Sequence, residues 1–317
     1  MEIGLCPNLG WDMSKFGTGP EKSAMKKFGF FLMTQKGYEV LQAFTENVGA
    51  RYIDCVVGAR DTNILEDYYE KISKFCKDRQ IKFYNRKENY VLNSNYSFAI
   101  SWRWLLNKPE SKLIILHDSL LPKYRGFAPL VNALINGEQK IGVTALFANE
   151  YFDRGDIIAQ KGIEISYPIK INDAIKTISG CYKDLVIEIS QKIICGKEIS
   201  SYKQDEKLAT YSLWLDEKDY AINWERDAEY IKRFIDSVGY PYKGACTILN
   251  KRKVRVIDAE VKEDVTIMNR KSSKVLFVED GCPIVVCEKK LLKLTNVIDD
   301  ESGKSVLPLK RFRVRFE

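Results

Sequence analysis

The chain has 317 residues, is 45% apolar and 29% charged, and carries a formal net charge of +7. These values are ordinary for a globular protein of one or two domains. No apolar run approaches the roughly 18 residues that a membrane helix needs, and no secretion signal is visible at the N-terminus. The eight cysteines form no C-x-x-C pair and there is one histidine, so neither a zinc site nor a disulfide framework is indicated. We expect a cytoplasmic protein with reduced thiols and no metal.

From residue 28 onward, apolar runs of strand length alternate with segments of helical periodicity. We expect strands at 28–33, 52–57, 81–84, 98–102 and 112–116, and helices at 38–48 and 63–79. This alternation is typical of a mostly parallel, doubly wound α/β sheet, a Rossmann-like architecture. No G-x-G-x-x-G or P-loop string is present, so dinucleotide and P-loop functions lack their phosphate-binding backbone. Residues 1–27 have no clear period and form an unassigned N-terminal extension.

The second half of the chain changes character after a long helix. A helix at 128–135 and strands at 141–147 and 157–165 lead to that helix, expected at 171–195, and the first domain is assigned to 28–196. A polar linker, 197–208, precedes a C-terminal domain at 209–317. There a helix at 227–238 and five short strands at 245–249, 253–261, 274–278, 284–287 and 291–297 predict a small, OB-like β-barrel. Exposed barrel edges often pair, which leaves a homodimer open.

His117 is the only histidine in the chain, and it ends the apolar strand expected at 112–116. Ligands of open α/β sheets bind just beyond such carboxyl ends. A second polar cluster, 152–156, follows a later strand and contains Asp153. Because imidazole titrates near neutral pH, a histidine beside a carboxylate at this edge is typical of acid/base chemistry.

Several motifs around this histidine resemble those of the folate-dependent formyltransferases. They are HxSLLPKYRGxAPL from residue 117, NGE from 136, GVT from 142 and DRGDI from 153, followed by ATY from 209, INW from 222 and YPYKGA from 240. The chain is similar to the methionyl-tRNA formyltransferases and more similar to the formyltransferase domain that modifies UDP-4-amino-4-deoxy-L-arabinose. The resemblance covers about residues 28–317.

The resemblance implies transfer of a formyl group from the co-substrate N10-formyltetrahydrofolate to a primary amine. The family uses an Asn-x-His pair and a later Asp, which places His117 and Asp153 in the catalytic roles. Ile115 stands where the family has asparagine, whose amide holds the formyl oxygen. Losing one such donor typically lowers the rate by roughly 10²–10³-fold. Ser119, Asn93, Asn95 or a backbone N–H could replace it, and the sequence does not choose among them.

The resemblance also suggests binding residues. Trp102, Arg103, Trp104 and Leu105, which replace a small Gly-bearing segment of the family, are candidates for the folate, and Asp156 is grouped with them. The candidates for the acceptor are Ser119, Lys123, Tyr124 and Arg125, with the two cations expected to pair with a diphosphate.

For the acceptor we favour a nucleotide-linked amino-deoxy sugar used in a surface glycan such as lipopolysaccharide O-antigen. Residues 60–67 are acidic on balance, whereas tRNA-acting members carry a basic insertion there. A methionyl-tRNA formyltransferase is the alternative, and the C-terminal domain has a basic surplus at Lys251, Arg252, Lys253, Arg255, Lys310, Arg311, Arg313 and Arg315. We interpret this surplus as solvated strand faces, with a weak anion or partner surface as the alternative. A degenerate binding module is the third hypothesis, supported by Ile115.

Overall fold

A computed structural model of the chain describes residues 26–104, 106, 112–309 and 311–317. Most of the expected N-terminal extension, Leu105 and Lys310 therefore lie outside the described residues. The strands of the first unit are β1 Phe28–Leu32, β2 Ile53–Gly58, β3 Phe83–Asn85, β4 Tyr96–Ile100, β5 Lys112–His117, β6 Arg125–Gly126, β7 Lys140–Phe147 and β8 Ile157–Glu164. Its helices are α1 Thr34–Phe44, α2 Tyr69–Asp78, α3 Pro129–Ile135 and α4 Ile171–Ile194, with a π-helical turn at Thr45–Gly49 and a 3₁₀ turn at Ala50–Tyr52.

Seven of these strands form one sheet in the order β3-β2-β1-β4-β5-β7-β8. β1 is parallel to β2 and β4, β2 to β3 and β4 to β5, whereas β7 is antiparallel to both β5 and β8. All five residues of β1 are buried, as expected for a parallel strand covered by helices on both faces. The predicted mostly parallel α/β sheet is confirmed.

The second helix starts later than the periodicity predicted. α2 begins at Tyr69, not at residue 63, because Asp61 and Asp67 bind backbone N–H groups two residues ahead. The Asp61 carboxylate accepts from Asn63 N at 3.0 Å, and Asp67 accepts from Tyr69 N at 3.1 Å. Such local bonds compete with a helix and favour turns. Residues 59–68 therefore form a loop at the carboxyl edge of the sheet.

The C-terminal unit is a five-stranded antiparallel sheet with one helix. Its elements are β9 Tyr211–Ser212, α5 Ala228–Ser237, β10 Ala245–Leu249, β11 Arg252–Lys262, β12 Val275–Glu279, β13 Cys282–Val286 and β14 Leu291–Asp299, preceded by a 3₁₀ turn at Glu206–Leu208. The order in the sheet is β10-β11-β14-β13-β12, while β9 pairs with β6 of the first unit. The predicted C-terminal antiparallel β unit is confirmed.

The last residues of the chain connect the two outer strands of this sheet. Ile248 and Glu317 exchange backbone hydrogen bonds of 2.7 and 2.9 Å, and Phe316 N donates to Ser273 O at 2.9 Å. The Phe316 side chain is fully buried and lies 5.7 Å from the ring of Trp224. The C-terminal segment thus bridges the two edges of the sheet, at β10 and next to β12.

The two units share one continuous core, which extends from Phe28 to Phe316. α5 packs on α3, and Arg233 Nε donates to Ile135 O at 3.1 Å. The segment 197–208, expected to be a linker, is held to the first unit: Tyr202 and Ile157 exchange two backbone hydrogen bonds. Among the described residues, no helix is both long and apolar enough to cross a membrane.

Candidate active site

A cavity of about 490 Å³ opens at the carboxyl ends of β1, β4 and β5. This volume is typical of small-molecule sites, and the position is where open α/β sheets bind ligands. Its wall is built from strand ends, from the loops 61–68 and 148–153, and from two segments of the C-terminal unit. His117, Asp153 and Ile115 all line it.

His117 closes β5, and its imidazole is 8% exposed. Its Nε2 lies 2.8 Å from the carbonyl oxygen of Tyr124. A carbonyl only accepts, so Nε2 carries a hydrogen and the neutral ring is basic at Nδ1. Nδ1 lies 3.4 Å from Asp153 Oδ1. The ring is therefore oriented so that a proton taken up at Nδ1 would be stabilised by a carboxylate.

Asp153 is held by its backbone and by its side chain. Its φ of 55° is in the left-handed region, which Asp tolerates better than most residues. Its Oδ2 accepts from Gly126 N at 2.8 Å, and its carbonyl oxygen accepts from the Gln204 amide at 2.7 Å. The first bond leaves Oδ1 directed at His117, so the pair is positioned by β6 and by the segment that follows α4.

Gly155 explains why the loop that carries Asp153 is so tight. A Cβ atom at this position would lie 1.6 Å from the carbonyl oxygen of Phe147. The chain turns here because Phe147 N donates to Asp156 O at 3.0 Å, which joins β7 to β8. Any larger residue at 155 would displace the turn and Asp153 with it.

None of the three side chains named for the missing amide lines the cavity. The Ser119 hydroxyl donates to Lys123 O at 2.6 Å, and Asn93 and Asn95 lie outside the lining. The polar residues that do line it include Ser101 and Asn149. The replacement donor is therefore a backbone N–H or another side chain of the cavity.

A network that the sequence did not reveal lies beside the histidine. Lys36 in the first turn of α1 forms an ion pair with Asp118, and the Tyr182 hydroxyl of α4 donates to the same carboxylate. Burial alone would raise the pKa of Asp118, but the Lys36 ammonium and the Tyr182 hydroxyl lower it below its ordinary value. Burial and the neighbouring Asp118 charge raise the pKa of Tyr182 well above its usual range. All three residues line the cavity.

The aromatic segment predicted to bind folate lies in the cavity wall. Trp102 packs edge-on against Phe31 at 5.2 Å and against Trp104 at 5.3 Å. Its indole Nε1 is buried without a hydrogen-bond partner among the described residues. Arg103 forms an ion pair with the buried Asp61 and also lines the cavity. An orphaned donor beside aromatic rings fits a planar heterocycle that offers an acceptor atom.

The residues predicted to bind the acceptor lie elsewhere. Arg125 is fully buried, and its guanidinium donates to Gln204 and to both carboxylate oxygens of Glu206 at 2.8–3.1 Å. Lys123 is exposed and lies 3.8 Å from Glu138, which also accepts from the Tyr124 hydroxyl at 2.8 Å. None of the residues Ser119, Lys123, Tyr124, Arg125 and Asp156 lines the cavity. The structure thus brings Asp153, Trp102, Arg103 and Trp104 together with His117 in the cavity wall, whereas of these five Tyr124 touches His117 only through its backbone carbonyl.

The C-terminal unit supplies part of the wall. Trp214 and Tyr220 line the cavity, as does the turn Tyr240-Pro241-Tyr242. This turn is fastened to the 59–68 loop, since Leu65 N donates to Pro241 O at 2.8 Å and the Tyr240 hydroxyl donates to Glu66 at 2.5 Å. The sequence contained no local signal for this contribution, because it depends on how the two units pack.

Comparison with known proteins agrees with this architecture. Residues 15–179 match the model described as "Formyl transferase", and residues 215–312 match "Formyl transferase, C-terminal domain". A methionyl-tRNA formyltransferase of Carboxydothermus hydrogenoformans is 32% identical over 206 residues, 64% of this chain and 65% of that protein. Another from Thermodesulfovibrio yellowstonii is 30% identical over 247 residues, 75% of this chain and 76% of that protein. The chain thus spans about 65% of the length of the first relative.

Among solved structures, the N-formyltransferase of Helicobacter canadensis has a similar fold. The TM-score is 0.66 at 17% identity, over 85% of this chain and 99% of that one. That protein was crystallised with folinic acid and dTDP-3-aminofucose. The matched family models cover both units described above, so this chain belongs to the formyl transferase family.

Proposed function

We propose that this protein transfers a formyl group from N10-formyltetrahydrofolate to the primary amine of a nucleotide-linked amino-deoxy sugar, for use in a surface glycan. The observation that carries the proposal is the contact of His117 with Asp153, 3.4 Å apart in the wall of a cavity of suitable size. Family membership supports the reaction type, and the geometry supports the assignment of these two residues.

The proton route follows from the orientation of the imidazole. The amine nitrogen uses its lone pair to form a bond to the formyl carbon, and the carbonyl π electrons move to oxygen. The amine proton passes to His117 Nδ1, the basic nitrogen, because Nε2 already donates to Tyr124 O. Asp153 stabilises the imidazolium. The C–N10 bond then breaks, His117 returns the proton to N10, and the products are a formamide and tetrahydrofolate.

The donor would bind against the aromatic wall. Trp102 and Trp104 offer ring surface, and the unpartnered Trp102 N–H offers a donor for a pteridine heteroatom. Arg103 keeps guanidinium N–H groups beyond its pair with Asp61, which suits a carboxylate. That a protein of similar fold was crystallised with folinic acid is consistent with this placement.

The charge at the rim supports a sugar nucleotide over tRNA. In the loop that follows β2, Arg60 forms ion pairs with Asp67 and Glu70, and Glu66 pairs with Lys71. A loop that holds nucleic acid would present unpaired cations. Exposed aromatic side chains at the rim can instead stack on a base: Phe127, Phe152 and Trp214.

A methionyl-tRNA formyltransferase is the second candidate, favoured by the names of the sequence relatives. Exposed cations of the C-terminal unit would then contact the tRNA: Lys251, Arg252, Arg311 and Arg313. Arg255 would not contribute, because it is 4% exposed and is paired with Asp300 and Glu217.

A coupled assay for tetrahydrofolate release tests the proposal. The acceptors are UDP- and dTDP-linked amino sugars and charged initiator tRNA, each with N10-formyltetrahydrofolate. We expect release with an amino sugar and loss of release in the His117→Asn variant, whose thermal unfolding should match that of the wild type. Release with tRNA alone would establish the second candidate. Ligand binding without release from any acceptor would leave a non-catalytic binding module.

A further inference from the structure

We propose that Lys36 stabilises the negative charge that develops on the formyl oxygen, taking the place of the amide that Ile115 cannot provide. Asp118 and Tyr182 are the positioning residues that hold this lysine in the cavity. The inference rests on the proposed function and adds a catalytic residue to it.

Asp118 places Lys36 at the strand end that carries the histidine. Its ammonium pairs with Asp118 Oδ2, and Asp118 directly follows His117 at the end of β5. The side chains of Lys36 and Asp118 are 12% and 15% exposed, and both line the cavity. The cation therefore lies at the same strand end as the imidazole and faces the same space.

The lysine keeps donors for a ligand. An ammonium has three N–H groups, and Asp118 is its sole hydrogen-bond acceptor in the part of the chain that the structure describes. Tyr182 donates to the other oxygen of Asp118 and packs its ring 5.6 Å from the Lys36 nitrogen. The tyrosine hydroxyl binds one carboxylate oxygen and the ammonium binds the other. The ammonium is therefore anchored by one bond and keeps its other N–H groups for a ligand.

A structural role explains the network poorly. Burying an ion pair contributes little net stability, since desolvation offsets the attraction between the charges. In a partly enclosed cavity, by contrast, a fixed cation stabilises a developing oxyanion strongly and needs no reorganisation. An ion pair in the wall of a reaction cavity is thus better explained by stabilisation of the oxyanion than by stabilisation of the fold.

Ile115 marks the place of the family's asparagine amide, and Lys36 must supply the donor that is missing there. It lies two residues before His117 on β5, so both side chains project from the same face of the strand. Two other polar residues of the cavity accept hydrogen bonds from neighbours, Ser101 Oγ from Thr34 at 3.1 Å and Asn149 Oδ1 from Tyr151 N at 2.9 Å. Both keep neutral donors, which bind an oxyanion less strongly than an ammonium does. Lys36 is a charged donor of the cavity, and its anchor, Asp118, directly follows the histidine in the chain.

In the reaction, the carbonyl π electrons move to oxygen as the amine nitrogen bonds to carbon, and Lys36 donates a hydrogen bond to that oxygen without losing its proton. The same electrons re-form the carbonyl when the C–N10 bond breaks, and the amine proton travels through His117 to N10. Lys36 therefore changes the barrier but not the proton balance.

The test replaces the ammonium by a neutral side chain of similar length. Lys36→Met should lower kcat by roughly 10²–10³-fold, as expected for one lost oxyanion donor. The KM for the folate should change little. Lys183→Met is the matched control, because Lys183 follows Tyr182 and, within the described part of the chain, pairs only with Glu39, at 3.9 Å. Folding and donor binding are checked by thermal unfolding and by quenching of tryptophan fluorescence with folinic acid.

The decisive variant combines Lys36→Met with Ile115→Asn. If Lys36 replaces the missing amide in stabilising the formyl oxygen, the new asparagine should raise the kcat of the Lys36→Met variant by at least about tenfold. It should restore nothing in an Asp153→Asn background. Asp118→Asn should give an intermediate loss, because the lysine is released but keeps its charge.

Two results would overturn the inference alone: Lys36→Met turnover within threefold of the wild type, or a loss that Ile115→Asn does not rescue. In both cases the proposed function stands if the His117→Asn variant still loses turnover. If the wild type releases no tetrahydrofolate with any acceptor, nor by slow hydrolysis of the donor, both the proposed function and this inference are wrong.

Discussion

At the scale of single residues, Asp118 links the chemistry of the cavity to the stability of the protein. Its pKa lies below the ordinary value because Lys36 and Tyr182 outweigh the effect of burial. A carboxyl group with a lowered folded-state pKa adds stability above its unfolded pKa of about 3.8. That contribution is lost as the pH falls through the lower folded value.

We therefore predict that Asp118→Asn lowers the free energy of unfolding at neutral pH by about 3 kcal/mol, since it leaves the buried Lys36 without its partner. The free energy of unfolding, measured with urea from neutral pH down to about pH 3, should fall less in the variant than in the wild type. The reason is that the variant lacks one carboxyl group that is protonated in acid. Asp184→Asn, on the exposed side of α4, is the control. Parallel curves for Asp118→Asn and the wild type would contradict the prediction.

At the scale of elements, the two-residue strand β6 connects the site to the segment after α4. Arg125 on β6 holds Gln204 and Glu206, and Gln204 in turn holds the carbonyl oxygens of Asp153 and Gly155. Its guanidinium thus supports, from outside the cavity, the loop that carries Asp153.

Arg125→Met should lower the free energy of unfolding by about 2–3 kcal/mol, through the loss of several charge-assisted hydrogen bonds. It should also lower kcat, because the Asp153 loop loosens, while the KM for the acceptor stays close to the wild-type value. Lys123→Met, on an exposed side chain, should change neither. An acceptor KM that rises in either variant, with unfolding unchanged, would support the diphosphate contact expected from the sequence.

The closing segment of the C-terminal sheet is a second element whose role is structural. Phe316 is fully buried, whereas Phe312 in the same segment is 55% exposed. We predict that Phe316→Ala lowers the free energy of unfolding by about 3–5 kcal/mol, the usual range for an aromatic core truncation. Phe312→Ala should change it by less than about 0.5 kcal/mol. Equal effects on thermal or urea unfolding would show that the segment does not join the two edges in solution.

At the scale of the whole molecule, the net charge of +7 is less available to partners than the sequence suggests. Glu217 gathers Lys243, Lys253 and Arg255 into one ion-pair cluster. Burial alone would raise the pKa of Glu217, but these cations lower it to about 2. The charges of the C-terminal unit are thus partly neutralised within the protein.

We accordingly predict weak binding of tRNA, with an affinity that falls steeply between about 0.05 and 0.2 M salt. Formylation of an amino sugar should be unaffected by added uncharged tRNA at about 0.15 M salt. Fluorescence titration and the tetrahydrofolate assay measure the two quantities. The Lys251→Glu variant should remove part of the residual affinity and leave turnover unchanged. Salt-resistant binding, or competition by tRNA, would favour the tRNA acceptor.

Much of the fold is encoded locally and could be predicted. The apolar run before His117 predicted β5, and the helical period after residue 170 predicted α4, whose observed bounds are Ile171–Ile194. The predicted start of α2 was wrong because Asp61 and Asp67 form turns, which hydrophobic periodicity does not detect. The assignments of His117 and Asp153 came from motif and strand position, and the structure places the two side chains together.

The sequence by itself determined the order of strands and helices, the family and the pair at the strand end, because these depend on short-range periodicity and contiguous motifs. Only the tertiary structure decided which charged side chains face the cavity. Lys36, Asp118 and Tyr182 come from three distant elements, while Arg125, inside the strongest motif, points to Gln204 and Glu206 instead. The direction of a side chain depends on what packs against it, and those neighbours are distant in the chain.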